Sequence, residues 1–188
     1  MQLGEILFTF DDGPSDKTLK ILDVLENSSI KGIFFFIGKN IHPQHSILLS
    51  ELVSRGHRVE NHTHSHKMLT KLNATDILAE IELVDTFLYQ NGITTKLVRP
   101  PFGEYNQLVK AVIESIGKQL FLWNIDSEDW KDVNGWDGKV LSSIGFDKKN
   151  IILMHDTHRF DINKLQSIIQ KTKNEYNFAA LQKIIKFY

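Results

Sequence analysis

Apolar positions along the chain fall into two alternating kinds of run. Short, nearly continuous stretches rich in β-branched and aromatic residues occupy 6–10, 32–37, 58–60, 97–99, 119–125 and 150–154, with a weaker one near Phe178. Runs of that length and composition predict buried strands. Between them the apolar residues are spaced for helices. Ile77, Leu78, Ile81, Val84, Phe87 and Leu88 share one face at the 3.6-residue period, and Gly92 follows as a stop. Asn106 is placed to cap a second helix with the apolar face Leu108, Val109, Val112, Ile113 and Ile116, ended by Gly117.

No linker, repeat or low-complexity tract interrupts the alternation, so residues 1–188 read as a single domain. Strands alternating with helices predict an α/β fold with parallel strands. A complete eight-unit barrel takes about 250 residues and at least ~200. The 188 residues here fall short, which predicts a distorted, incomplete (β/α) barrel of about seven units. In such a fold chemistry gathers where strands end and loops begin.

Composition narrows the chemistry. With 22 basic and 23 acidic side chains there is no electrostatic footprint for nucleic acid, and no apolar run approaches the ~20 residues of a membrane-spanning helix. There is no cysteine, so disulfides, thiolate nucleophiles and Cys-based metal sites are excluded. A metal must be held by His, Asp or Glu.

Five polar clusters follow the predicted strands. The first, Thr9-Phe10-Asp11-Asp12-Gly13-Pro14, puts two carboxylates beside a sharp turn, although Asp-Gly-Pro also suits a plain solvated turn. The second, Asn61-His62-Thr63-His64-Ser65-His66, holds three of the chain's eight histidines. His62 and His66 are four apart, so on one helical turn their rings could converge on a metal. Asp11 or Asp12 would be the third ligand, leaving the other free as a base. The third, Arg99-Pro100-Pro101-Phe102-Gly103, offers a fixed cation for a carboxylate and N–H groups at Phe102 and Gly103 for a developing oxyanion. The fourth, residues 123–130, mixes acids with two indoles, a composition suited to a sugar-binding groove and equally to packing. The fifth places His155 just after a buried strand, where it could serve as a general acid.

In order, TFDDGP, HTHSH, RPPFGEYN, DSEDW and LMHD resemble the five motifs of the polysaccharide deacetylases of carbohydrate esterase family four. The resemblance runs from Thr9 to about His158. It implies Asp11 as catalytic base, Asp12, His62 and His66 as metal ligands, and His155 as catalytic acid. It implies further that Arg99 holds the base, that Asp126 tunes the acid histidine, and that Trp130 and Leu153 wall the acetyl methyl group. Phe102 stands where the family often has Tyr and would donate its backbone N–H to the oxyanion. His64, at a variable position, is a rival ligand ranked below His62 and His66.

The expected reaction is metal-assisted hydrolysis of an N-acetyl group on an amino sugar in an oligo- or polysaccharide. Zinc is the first choice of metal on ligand type, with cobalt or nickel as alternatives. An O-acetyl ester or formyl-sugar substrate would use the same residues, and an inactive carbohydrate-binding homologue is the rival of another class. The chain is expected to be a monomer, without nucleic-acid partners or membrane insertion. Its first residues lack a basic n-region and a cleavage site, so a cytoplasmic location is expected, with a secreted protein trimmed of its leader as the alternative.

Overall fold

The computed structural model describes residues 4–132, 134–146, 148–179 and 181, so the single-domain expectation also spans positions outside them. Strands β1 (Glu5–Asp11), β2 (Ile33–Phe36), β3 (Arg58–Asn61), β4 (Leu97–Val98), β5 (Gln119–Leu120), β6 (Ile125–Asp126), β7 (Lys149–His155) and β8 (Asn177–Phe178) alternate with six helices. These are α1 (Thr18–Asn27), α2 (Ser46–Ser54), α3 (Ala74–Gln90), α4 (Gln107–Ser115), α5 (Trp136–Ser143) and α6 (Ile162–Thr172). Every pairing is parallel, in the order β5-β4-β3-β2-β1-β7-β6, and the short β8 adds to the start of β1.

The strand alternation sorts side chains onto two faces. Phe8, Phe10, Phe34 and Phe36 point outward into the main core, with Ile21, Leu22 and Leu25 of α1, Leu49 and Leu52 of α2, and Ile168 of α6. Leu7, Ile33, Phe35, Leu97 and Phe121 form a separate cluster on the opposite, concave face. Thr9 and Asp11, two and four residues after Leu7, therefore fall on that concave face.

The expected strand at 119–125 is two short strands at opposite edges of the sheet. Laid flat, seven strands at ~4.8 Å spacing would put the edges ~29 Å apart. The chain from Leu120 to Ile125 can reach at most ~18 Å even when fully extended. The sheet must therefore curl until its edges come near each other, giving the incomplete barrel that the length predicts.

Asn106 caps α4 as expected, and Asn73, which the pattern did not single out, caps α3; each accepts a 3.0 Å bond from the backbone N–H three residues on. Gly92 and Gly117 follow with φ of 76° and 71°.

Candidate active site

The end of β1 delivers two carboxylates in different directions. Asp11 closes the strand and is 2% exposed, whereas Asp12 adopts a left-handed φ of 72° that swings its carboxyl out of the strand repeat. Gly13 is required by close approach: an added Cβ would lie 2.5 Å from Asp156 Oδ2 and 2.6 Å from the Phe36 ring.

Arg99 Nη1 donates to Asp11 Oδ1 at 2.6 Å. The same nitrogen donates to Thr9 Oγ1 at 2.9 Å, while Nε and Nη2 donate to Phe121 O at 3.3 Å and Leu122 O at 3.4 Å. The guanidinium is fully buried, with the Phe35 ring centroid 4.1 Å from Cζ. It fixes one oxygen of Asp11 in a fork geometry that Lys could not reproduce. Oδ2 remains on the cleft side, 3.6 Å from His62 Nε2.

His62 follows β3, and its Nδ1 lies 2.7 Å from Arg99 O. A carbonyl only accepts, so Nδ1 carries the proton and Nε2 presents a lone pair. Asp12 Oδ1 lies 3.5 Å from His62 Nε2 and 3.4 Å from His66 Nε2. Among the described residues, Asp12, His62 and His66 form the group able to bring ligand atoms within 4.8 Å of one another. Asp12 Oδ1 is buried without a hydrogen-bond donor. A buried carboxylate oxygen among imidazole lone pairs is unsatisfied unless a cation lies between them, so two nitrogens and this oxygen fit a divalent metal.

The ionisation states agree with that fit. Burial pushes the Asp12 carboxyl up, but His62, His155 and His66 more than offset it and hold its pKa below the usual 3.8. Burial above all lowers the His66 pKa against the pull of Asp12 and Asp11, favouring neutral imidazole.

The histidine pair is not carried on a helical turn, as its spacing suggested. Residues 62–66 form a loop in which Thr63 and His66 are left-handed, with φ of 65° and 58°. His64 lies outside the triad; its ring packs beside Gly38, where an added Cβ would meet Nδ1 at 2.6 Å.

At the end of β7, His155 is held by Asp129, not by Asp126. His155 Nδ1 donates to Asp129 Oδ1 at 2.7 Å, and its backbone N–H donates to Asp129 Oδ2 at 2.9 Å. The register explains the correction. Asp126 pairs with Leu153, two residues short of His155, and its Oδ1 accepts from Glu128 N at 2.9 Å. The chain then turns at Glu128, φ 57°, and brings Asp129 over the imidazole. Burial alone would lower the His155 pKa. The Asp129 hydrogen bond and charge, with Asp11 and Asp12, raise it from 6.5 to about 9.

One cleft of about 350 Å³ gathers Asp11, Asp12, His62, His66, Asp126 and His155 with Phe102, Trp130 and Leu153, so Asp126 stays in the site without its expected role. Arg99 lies behind the cleft. Phe102 sits at φ 62° with its ring edge-on to His66, centroids 4.8 Å apart. The Gly103 N–H, also considered for an oxyanion, is already used at 3.1 Å by Pro100 O. Sequence reasoning gave Asp129 and Thr9 no role and took Trp123, a wall of the cleft, as one of two indoles suited to a sugar-binding groove or to packing. The only signal for Asp129 was its place beside Trp130 in the fourth cluster. A second, more polar cleft of about 410 Å³ shares Asp12 and His66 and adds Ser15, Lys39, Asn40 and His158.

A family model described as polysaccharide deacetylase matches residues 3–121. The peptidoglycan-N-acetylglucosamine deacetylase PgdA of Listeria monocytogenes is 33% identical over 184 residues, covering 95% of this chain and 38% of its own length. A chitin deacetylase of Arthroderma benhamiae is 30% identical over 180 residues, covering 90% of this chain and 48% of its own. The chain thus spans less than half the length of these relatives. The solved structure of the peptidoglycan deacetylase PdaC from Bacillus subtilis superimposes with a TM-score of 0.86 at 28% identity, covering 98% of this chain and 91% of that one. With the five motifs converging on one cleft and a family match over most of its length, this chain belongs to the polysaccharide deacetylase family.

Proposed function

We propose that the cleft hydrolyses the N-acetyl group of an amino sugar in an oligo- or polysaccharide, with zinc held by Asp12, His62 and His66. A divalent ion bound there would polarise the acetyl carbonyl and lower the pKa of water. Asp11 Oδ2 takes the proton of the attacking water, since Arg99 occupies its other oxygen. The Phe102 backbone N–H supports the developing oxyanion. His155, with Nδ1 engaged by Asp129, delivers its proton from Nε2 to the departing nitrogen, which leaves as the amine. Phe102, Trp130 and Leu153 give the methyl group an apolar wall. The adjoining polar cleft offers room for a neighbouring sugar.

The observation that carries this reading is the convergence, in one small cleft, of a carboxylate pinned by a buried Arg, a three-ligand set, and an imidazole pinned by a second carboxylate. Acetate release from N-acetylglucosamine oligomers tests it. Asp11→Asn and His155→Ala should each reduce the rate by about 10²–10⁴-fold while still binding metal. Release from acetylxylan with none from any N-acetylated oligomer would replace the reading with an ester hydrolase.

A further inference from the structure

The loop carrying His66 is held in an unfavourable shape from outside the cleft. Thr63 and His66 are left-handed at φ 65° and 58°, conformations that residues with side chains rarely adopt and that persist only where the surroundings impose them. His62 has an orienting partner in Arg99 O, at 2.7 Å from Nδ1. No bond to the Nδ1 of His66 is found among the described residues, so its ring depends on where the backbone puts it and on edge-on packing against Phe102 and His62.

Glu80, in the second turn of α3, lies 14 residues beyond His66 and is 7% exposed. Its Oε2 accepts from Ser65 N at 2.7 Å and its Oε1 from Ser65 Oγ at 2.5 Å. Its main-chain carbonyl accepts from His64 N at 2.9 Å. The carboxylate therefore grips the residue immediately before His66 at two points and fixes the plane of the peptide entering it. Elsewhere the loop is held by Gly38 N, which donates to Thr63 O at 3.0 Å, by Lys39 N, which donates to His64 O at 2.9 Å, and by Asn61 Oδ1, which accepts from Thr63 N at 2.8 Å.

We propose that Glu80 is the positioning residue for His66, setting metal affinity without touching metal or substrate. The inference rests on the metal site of the proposed function and adds the group that keeps its third ligand in place. Outer partners of metal ligands commonly change affinity by 10–100-fold when removed.

The test is zinc affinity of the purified protein, by chelator competition, beside the melting of each metal-free variant. Glu80→Ala should bind zinc about 10–100-fold more weakly. Glu80→Gln keeps an acceptor for Ser65 N and should stay within about threefold of the parent. Its visible Co2+ spectrum should match the parent, while that of Glu80→Ala should differ. Asn73→Ala, which weakens the same helix at its cap, should leave affinity unchanged. His62→Ala should lose binding, and if it does not, the metal site itself is wrong. Parent-like affinity in Glu80→Ala alongside loss in His62→Ala would overturn the positioning role, as would an equal loss in Asn73→Ala. Should Glu80→Ala fail to fold, Ser65→Ala, which removes one of the two grips, must weaken binding measurably; affinity equal to the parent would then sink the proposal.

Discussion

Asp126 and Asp129 are three residues apart in one acidic stretch and differ in what they can reach. Composition and spacing cannot rank them, because the choice depends on the register of β6 against β7 and on a left-handed turn at Glu128. The distinction is measurable in the pH dependence of the rate. His155 must be protonated to act as an acid, so activity falls as pH rises through its pKa. Asp129→Asn removes the partner charge that holds this pKa near about 9, and the alkaline limb should move to lower pH. Asp126→Asn should leave the limb in place; a shift there with none in Asp129→Asn would reverse the assignment. Arg99 offers a second residue-scale test. Arg99→Met leaves Asp11 buried against an apolar side chain, and breaking a buried pair in that way costs about 3–5 kcal/mol. Urea unfolding of the metal-free protein should show a loss of that order, together with loss of turnover.

Among the elements, the long runs were legible and the junctions were not. The strands at 6–10, 32–37 and 150–154 and the helices capped by Asn73 and Asn106 follow from local pattern, since burial on one face or both writes itself into periodicity. The apolar run 119–125 reads as one strand because Phe121 and Ile125 are both buried. Pattern does not reveal that they belong to opposite edges of the sheet. The His62–His66 spacing suits a helical turn, yet Glu80 and the short 3₁₀ turn at Gly38–Asn40 impose a loop from a distance. Local sequence carries no trace of such long-range clamps. The roles proposed for the site residues come from five motifs in a fixed order, because no single cluster assigns them. At the element scale the capping account makes a simple prediction: Asn73→Ala should cost about 1 kcal/mol and lower Tm by roughly 2–4 °C. A thermal melt with no shift would show that the cap contributes nothing to α3.

For the whole molecule, two buried groups that are not among the proposed ligands bias stability in opposite senses. Burial, with the charges of Lys31 and Arg55, lowers the His57 pKa from 6.5 to about 4, so its contribution is complete above pH ~6.5 and lost as pH falls toward 4. Burial raises Asp156 from 3.8 to about 6 despite hydrogen bonds from Ser15 and Thr18, with Asp16 and Asp12 adding to the rise. The folded protein binds that proton more tightly than the unfolded chain, so this contribution falls as pH rises from about 4 to 6. The slopes oppose each other over the shared interval, and each substitution should uncover the other. His57→Gln should steepen the loss of stability on going from pH 4 to 6, and Asp156→Asn should make stability climb over the same range. Parallel profiles for parent and both variants, by urea denaturation at each pH, would contradict the pair of titrations. The gap in the barrel has a consequence of another kind. An eight-stranded barrel closes by backbone pairing, which is indifferent to side chains. Here the hoop is completed by the four residues from Phe121 to Asn124, and the guanidinium of Arg99 fastens that clasp through the carbonyls of Phe121 and Leu122 while steadying Asp11. Architecture and reactivity therefore share one cation, and evolution cannot retune the base through that position without loosening the hoop.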